Sequence, residues 1–285
     1  MEKVFWGACL LLVMTQQGQA KTVKEKLKNY IKTCESSKEA EACYRAGSIL
    51  HDPTEKGIKM DRPKAMTYLN IACQKKHGKA CYIAGFLTEI GYGKVKPDIQ
   101  AGHKLYFKSC EYDKQECGQL ASFLADGESG FKQDPKLAIE YGTMACDAGY
   151  SLGCHVIAGL YGKWGPKGYK NQPKKEQEWR QKTLKASMKG CKAKNPDACS
   201  AVADKYIKGE DGIQKDVKTG LEFLEKSCKF ELKIDHDHHH FGAYACRKLA
   251  EHYKKGLEGI PPSKEKFQFW AKKACANGIT SYCEK

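Results

Sequence analysis

Fourteen of the fifteen cysteines fall into pairs: Cys34 and Cys43, Cys73 and Cys81, Cys110 and Cys117, Cys146 and Cys154, Cys191 and Cys199, Cys228 and Cys246, Cys275 and Cys283. Partners stand 9, 8, 7, 8, 8, 18 and 8 residues apart, and successive pairs follow at intervals of 30, 29, 29, 37, 29 and 29. A beat this regular, about 37 residues long, marks an internal repeat in which each unit is one supersecondary element stacked on the next. A chain so built folds as an elongated array, because each unit buries its apolar face only against its neighbours.

Other positions keep the same beat. Four residues after a second cysteine stands Gly47, Gly85, Ala121, Ala158, Ala203 or Ala250, a small residue one helical turn away that lets another helix approach closely. Ten residues after it stands Gly91, Gly127, Gly209 or Gly256, where a helix ends. An aspartate suited to cap the next helix follows: Asp61 four residues before Ala65, Asp98 before Gly102, Asp134 before Ala138 and Asp216 before Gly220, with Pro135 directly after Asp134. Each unit is therefore a helix of about 11 residues, a Gly-containing loop and a second helix of about 13 that closes on a cysteine. Helices are predicted near residues 22–34, 41–51, 61–74, 79–89, 97–110, 115–126, 134–147, 152–162, 173–190, 197–208, 216–229, 242–254 and 262–276. No segment alternates as a strand does. The expected fold is all-α, a solenoid of about six to seven helix hairpins.

A separation of eight spans the last turn of one helix, a short turn and the first turn of the next, which brings two cysteines face to face across an antiparallel helix pair. Local disulfides are the natural connectivity: Cys34–Cys43, Cys73–Cys81, Cys110–Cys117, Cys146–Cys154, Cys191–Cys199, Cys228–Cys246 and Cys275–Cys283. By chain entropy each short loop closed in this way contributes about 2 to 3 kcal/mol. Seven of them exceed the net stability of about 5 to 15 kcal/mol of an ordinary domain, so the reduced chain is expected to be far less stable. Zinc knuckles need CxxC spacing, and none occurs here.

The first twenty residues, MEKVFWGACLLLVMTQQGQA, combine Lys3, an apolar run from Val4 to Met14 and small residues at Gly18 and Ala20. This is the pattern of a secretory signal peptide cleaved after Ala20; residues 21–285 then form the mature solenoid. Cleavage removes Cys9 and leaves an even number of cysteines, as disulfides formed in an oxidising, periplasmic or extracellular compartment require. No other segment is apolar and long enough to span a bilayer, so stable membrane insertion is not expected. The formal charge of +15 suits acidic partners such as cell-wall fragments, host glycans or anionic lipid surfaces, or else simply a solvated lysine-rich surface. Nucleic acid is not expected as the partner of an exported chain.

The helix starts DRPKA, PDIQAG, DPKLA and DVKTG and the closing AC or SC resemble Sel-one-like repeats, relatives of the tetratricopeptide repeat. Cysteines eight apart in an exported chain are similar, more narrowly, to those of the Helicobacter cysteine-rich proteins. The resemblance spans residues 34–283. It implies a right-handed superhelix of disulfide-bridged hairpins with a concave face, exported to the periplasm or medium. It also implies an alternative activity, because some relatives were described as penicillin-binding proteins with weak β-lactamase activity.

A serine β-lactamase needs a Ser one helical turn before a Lys, a Ser/Tyr-x-Asn, and a Lys-Thr-Gly on a strand. Fragments of each occur: Ser129 with Lys132, Ser263 with Lys266, Tyr169 with Asn171, and Lys218-Thr219-Gly220. SGFK lies in a Gly-bearing stretch and KTG opens a predicted helix, so no residue is assigned a catalytic role, and no cofactor is expected. Two insertions break the beat: GKWGPKGYKNQP at 162–173, in an interval eight residues longer than usual, and DHDHHH at 235–240, between Cys228 and Cys246. Insertions in solenoids map to loops, often on the binding face. Trp164 and Tyr169 are therefore the candidate ligand contacts. His236, His238, His239 and His240, with Asp235 and Asp237, are candidate ligands for Zn, Ni or Cu, a solvated loop being the bland reading. Tyr44, Tyr82, His155 and Arg247 directly follow second cysteines, and Tyr161, Tyr206 and Tyr253 stand seven after theirs; together they are an aromatic and basic candidate surface, of which the tyrosines, at fixed repeat positions, are expected in the core between repeats. The reading reached is an exported scaffold binding a peptide, cell-wall fragment or protein through its concave face. The alternatives are a weak β-lactamase or a periplasmic metal-handling protein.

Overall fold

The structure, a computed structural model, describes residues 23–53, 58–230, 241–276 and 279–283; the expected signal peptide lies outside them. Thirteen α-helices follow one another: α1 Val23–Ser37, α2 Ala40–His51, α3 Arg62–Gln74, α4 Gly78–Ile90, α5 Ile99–Tyr112, α6 Glu116–Asp126 and α7 Pro135–Asp147, then α8 Ser151–Tyr161, α9 Pro173–Lys192, α10 Pro196–Lys208, α11 Val217–Lys229, α12 Phe241–Lys255 and α13 Lys264–Ala276. A short 3₁₀ turn, Thr280–Tyr282, ends the described chain. Among the described residues there is no strand, only the isolated bridges Tyr92–Val95 and Leu257–Ile260, which give the loops after α4 and α12 the same tight turn.

The caps lie where the sequence places them. The carboxylates of Asp61, Asp98, Asp134 and Asp216 accept from the backbone N–H groups of Lys64, Ala101, Leu137 and Thr219 at 3.0, 2.9, 3.0 and 3.0 Å, each satisfying a donor that the first helical turn leaves open. Gly127 and Gly209 end α6 and α10 in the left-handed region, at φ 73° and 72°, where a side chain would be strained.

Each helix packs on the next along the chain. Small residues set how closely. Gly85 of α4 faces the ring of Tyr106 and the carbonyl of Gly102 on α5, while Gly102 in turn faces the carbonyl of Gly85. This backbone-to-backbone approach leaves no room for a Cβ on either helix. Disulfides join Cys34 to Cys43, Cys73 to Cys81, Cys110 to Cys117, Cys146 to Cys154, Cys191 to Cys199, Cys228 to Cys246 and Cys275 to Cys283, with Cα–Cα distances between 4.4 and 5.0 Å. Each ties the end of an odd-numbered helix to the start of the following even-numbered one or, at Cys283, to the segment after α13. The bridges thus couple one hairpin to the next.

The even-numbered helices also touch one another across hairpins: α2 packs on α4, α4 on α6, α6 on α8, and α10 on α12. Of the odd-numbered helices, α7 and α9 do so. In a curved stack the layer whose members lie closer is the concave one, so the even-numbered helices line the inner face. The stack is an α/α solenoid.

The first insertion forms the loop 162–172, and α9 begins at Pro173, where the sequence places it; this helix is 20 residues long where α3, α7 and α11 have 13. Most of the extra length is thus two added turns at the start of α9. Trp179 in those turns packs on the cluster of Cys146, Cys154 and Ala186, and Arg180 Nη1 pairs with Asp211 Oδ1 at 3.1 Å in the loop of the next hairpin.

Candidate functional site

The lengthened α9 interrupts the inner layer. α8 and α10 do not pack on each other as the other even-numbered neighbours do, and the space between them is open. A cavity of about 330 Å³ fills it, walled by Leu152 and His155 of α8, Thr183, Leu184 and Ser187 of α9, and Ala201, Asp204 and Lys205 of α10. On the other side of Leu152 and His155 lies a second cavity of about 350 Å³, reaching Ser122 and Asp126 of α6, Gln133 of the following loop, and Trp164 and Pro166 of the 162–172 loop. The two cavities share Leu152 and His155 and form one groove that crosses α8.

Side-chain chemistry differs along this groove. The cavity between α8 and α10 has apolar walls at Leu152, Leu184 and Ala201, and Leu152 remains 40% exposed, a cost that an occupant would relieve. Its charged rim is self-compensated. Lys205 Nζ pairs with Asp211 Oδ2 at 2.7 Å and Glu210 Oε2 at 3.3 Å, and Lys248 Nζ pairs with Asp204 Oδ1 at 2.6 Å. Partial removal from water against the groove walls lowers the pKa of His155, and the positive charges of Lys205 and Arg180 lower it further against the opposing pull of Asp211. Its imidazole is therefore neutral at neutral pH and offers one donor and one acceptor at the junction of the two cavities.

The residues singled out from sequence divide unevenly. Trp164 stands at the groove edge and is 88% exposed. Tyr169 does not share that exposure: it is half-buried, with its ring 6.3 Å from that of Tyr161, because the loop folds back on itself. Tyr44 and Tyr253 are buried as expected, Tyr44 stacked on His77 at 4.2 Å. Tyr82 packs with Tyr106 and Phe123. His155, part of the aromatic and basic candidate surface, is exposed and lines both cavities. His236, His238, His239 and His240 lie outside the described residues; among those described, no three His, Cys, Asp or Glu side chains are grouped to hold a metal ion.

The fragments that resemble serine-hydrolase motifs have structural roles of their own. Ser263 Oγ accepts from Lys266 N at 3.3 Å at the start of α13. Thr219 lies in the first turn of α11 bound to Asp216, and Gly220 lies against Ile207 and the Ala203 carbonyl. The carbonyl of Ser129 bonds His103 Nε2 at 2.7 Å in the loop after α6. The three segments belong to three different hairpins.

Leu152, Leu184, Ala201 and Lys205 were not singled out from sequence. Only the stretched interval between Cys154 and Cys191 marked their hairpin as unusual.

Comparison with known proteins defines the class first. The Sel1 repeat family model matches residues 40–77, 78–111, 117–150, 196–229 and 243–279, more than half of the chain. The chain belongs to the Sel1 repeat family. The matched segments leave out residues 151–195, which hold α8 and α9, so the interrupted hairpin is also the one least like the family pattern. Among particular proteins, the chain is 24% identical over 262 residues to cytochrome c oxidase assembly factor 7 of Xenopus tropicalis, covering 88% of this chain and 87% of the relative. It is 27% identical over 140 residues to the protein of that name from Mus musculus, covering 47% of this chain and 58% of the relative's length. A Sel1 repeat protein from Oxalobacter formigenes has the same fold, with a TM-score of 0.55 at 21% identity over 90% of this chain and 99% of that one. The immunity protein Pa5087 from Pseudomonas aeruginosa superposes with a TM-score of 0.55 at 17% identity, over 84% and 81% of the two chains.

Proposed function

We infer that this chain is an exported repeat scaffold that holds a peptide segment of a partner protein in the groove across α8. The observation that carries this reading is the opening between α8 and α10: a solenoid whose inner layer is otherwise continuous leaves apolar side chains uncovered at one place, beside a neutral hydrogen-bonding imidazole. Repeat stacks present extended surfaces of this kind, with specificity residing in the exposed side chains. An apolar cavity next to a polar one fits alternate side chains of an extended peptide. Relatives named as assembly factors favour a protein over a glycan or cell-wall fragment as the occupant. Seven disulfides and the apolar N-terminal segment support export to an oxidising compartment. The hydrolase alternative has less support, because the serine and lysine motifs cap helices and close loops in separate hairpins. The metal-handling alternative rests on histidines outside the described residues.

Ala201 is exposed on α10 and walls the cavity, so Ala201→Phe fills the groove without touching a buried contact. Peptides selected on the oxidised wild-type chain from a random display library are expected to lose at least about tenfold in affinity for Ala201→Phe, a change of about 1.4 kcal/mol. Selected peptides that bind this variant as tightly as the wild type would rule the groove out.

A further inference from the structure

A second surface lies beside the groove and has different chemistry. The loop after α8 is tied at its base, where Gln172 N donates to Tyr161 O at 3.0 Å and Asn171 N to Gly162 O at 3.2 Å, and it is braced within by Tyr169 N on Pro166 O at 3.0 Å. A loop closed in this way is compact and projects from the body. It carries Trp164, which at 88% is the most exposed large apolar side chain among the described residues. Lys163, Lys167 and Lys170 share the loop, and Lys174 and Lys175 open α9 directly behind it, all five exposed. Residues 162–175 contain no Asp, Glu or Arg. Among the described residues these lysines have no carboxylate partner, and two of them lie over aromatic rings: Lys163 Nζ is 4.9 Å from the centre of the Trp164 ring and Lys175 Nζ 4.9 Å from that of Tyr161. Elsewhere on the chain lysines such as Lys182, Lys205, Lys215 and Lys248 have carboxylate partners.

We propose that this loop docks the scaffold onto an anionic lipid surface, with Trp164 lying in the headgroup layer and the five lysines facing anionic headgroups. Indole is amphipathic and prefers the interface between water and hydrocarbon. Lysine stems reach along such an interface while their ammonium groups stay hydrated. The choice of lipid over an acidic polypeptide follows from two features. Recognition of individual carboxylates favours the bidentate fork of arginine, which this segment lacks, whereas a run of point charges suits a diffuse field of headgroups. The tip also projects, and a projecting aromatic meets a planar surface more readily than it encloses a peptide. Docking of this type is peripheral, consistent with the absence, among the described residues, of any helix long and apolar enough to cross a membrane. It would hold the groove across α8 close to the bilayer, although it does not depend on the groove being occupied.

The test uses the full oxidised chain in co-sedimentation with vesicles of phosphatidylcholine alone and of phosphatidylcholine containing one third phosphatidylglycerol. Residues 1–20 are the same in every variant, so differences between variants report on the loop. Binding is expected to the anionic vesicles, much more weakly to the neutral ones, and to fall as salt shortens the Debye length from about 10 Å at 0.1 M to about 3 Å at 1 M. Each lysine near the surface is worth about fivefold in affinity, from about 1 kcal/mol per charge, so Lys163→Gln/Lys167→Gln/Lys170→Gln is expected to bind about a hundredfold more weakly. Trp164→Ala should weaken binding and abolish a blue shift of emission on adding vesicles, with unchanged circular dichroism. Equal binding of the triple variant and the wild type, or equal binding to neutral and anionic vesicles, would overturn the proposal. So would capture by soluble polyglutamate at the affinity shown for vesicles, which would assign the loop to an acidic polypeptide instead. Ala201→Phe should bind vesicles like the wild type, so this result and that for the groove are read separately.

Discussion

Two glycines, each two residues from an end of one short helix, make opposite demands on the same substitution. Gly153 in α8 faces the Gly142 carbonyl, the Cβ of Ala145 at 2.7 Å and Cys146 N at 3.0 Å, measured from the position an alanine Cβ would take. All three belong to the backbone or to a Cβ, so none can rotate away. Carbon atoms rest at about 3.5 to 4.0 Å, and α7 and α8 would have to separate by roughly 1 Å. Overpacking of this kind costs about 1 to 3 kcal/mol, against which alanine returns about 1 kcal/mol of helix propensity. Gly153→Ala should therefore be destabilising by roughly 1 to 2 kcal/mol. Gly159, further along the same helix, has nothing within 4 Å of its would-be Cβ, so Gly159→Ala keeps the propensity gain of about 0.5 to 1 kcal/mol alone. For a chain of this size each kcal/mol moves the melting temperature by about 2 to 4 °C. The two variants should differ by roughly 5 to 10 °C in thermal unfolding of the oxidised protein, on opposite sides of the wild type. Melting of both within about 2 °C of each other would refute the claim that α7 and α8 meet backbone to backbone at Gly142 and Gly153. Because Leu152 and His155 flank the same contact, Gly153→Ala should also weaken peptides bound in the groove.

Glu116 gives a test by pH. Burial, reinforced by the charge of Asp113 and opposed by Lys79, raises its pKa from 4.5 to about 7. Between these values the folded chain holds a proton that the unfolded chain has released, so stability declines as pH rises from 4.5 to about 7. Glu116→Gln should remove that decline and melt higher than the wild type at pH 8; equal melting at pH 8 would place the carboxylate in a more polar setting. A disulfide gives the third test. The Cys146–Cys154 bridge spans a separation of 8, and its loss in Cys146→Ala/Cys154→Ala should cost about 2 to 3 kcal/mol by chain entropy, read as a melting point lower by roughly 5 to 10 °C. A smaller loss than in a variant lacking the longer Cys228–Cys246 loop, which spans 18, is the expected order.

The helices, their caps and the hairpin period were legible because short-range chemistry writes them. An aspartate caps the helix that starts beside it, a glycine ends the turn in which it stands, and a small residue four places after a cysteine permits an approach that recurs in every unit. Such features depend on neighbours within about ten residues, and they lie open in one dimension at Asp134, Gly127 and Gly85. The same locality explains what misled. Trp164 and Tyr169 are read as equal candidates for exposure, because nothing in the residues 162–173 says that Gln172 and Asn171 fold back on Tyr161 and Gly162.

What the sequence determined by itself was the unit: two helices, their lengths, and the cysteines that join one hairpin to the next. What the tertiary structure decided was how the units sit where the beat fails. The two added turns of α9 are helix because their residues favour it, but whether they extend the stack or wedge it apart depends on Trp179 packing on Cys146 and Cys154 and on Arg180 reaching Asp211. These partners lie about thirty residues away along the chain, beyond the reach of any local rule, and their packing leaves Leu152 and His155 uncovered between α8 and α10.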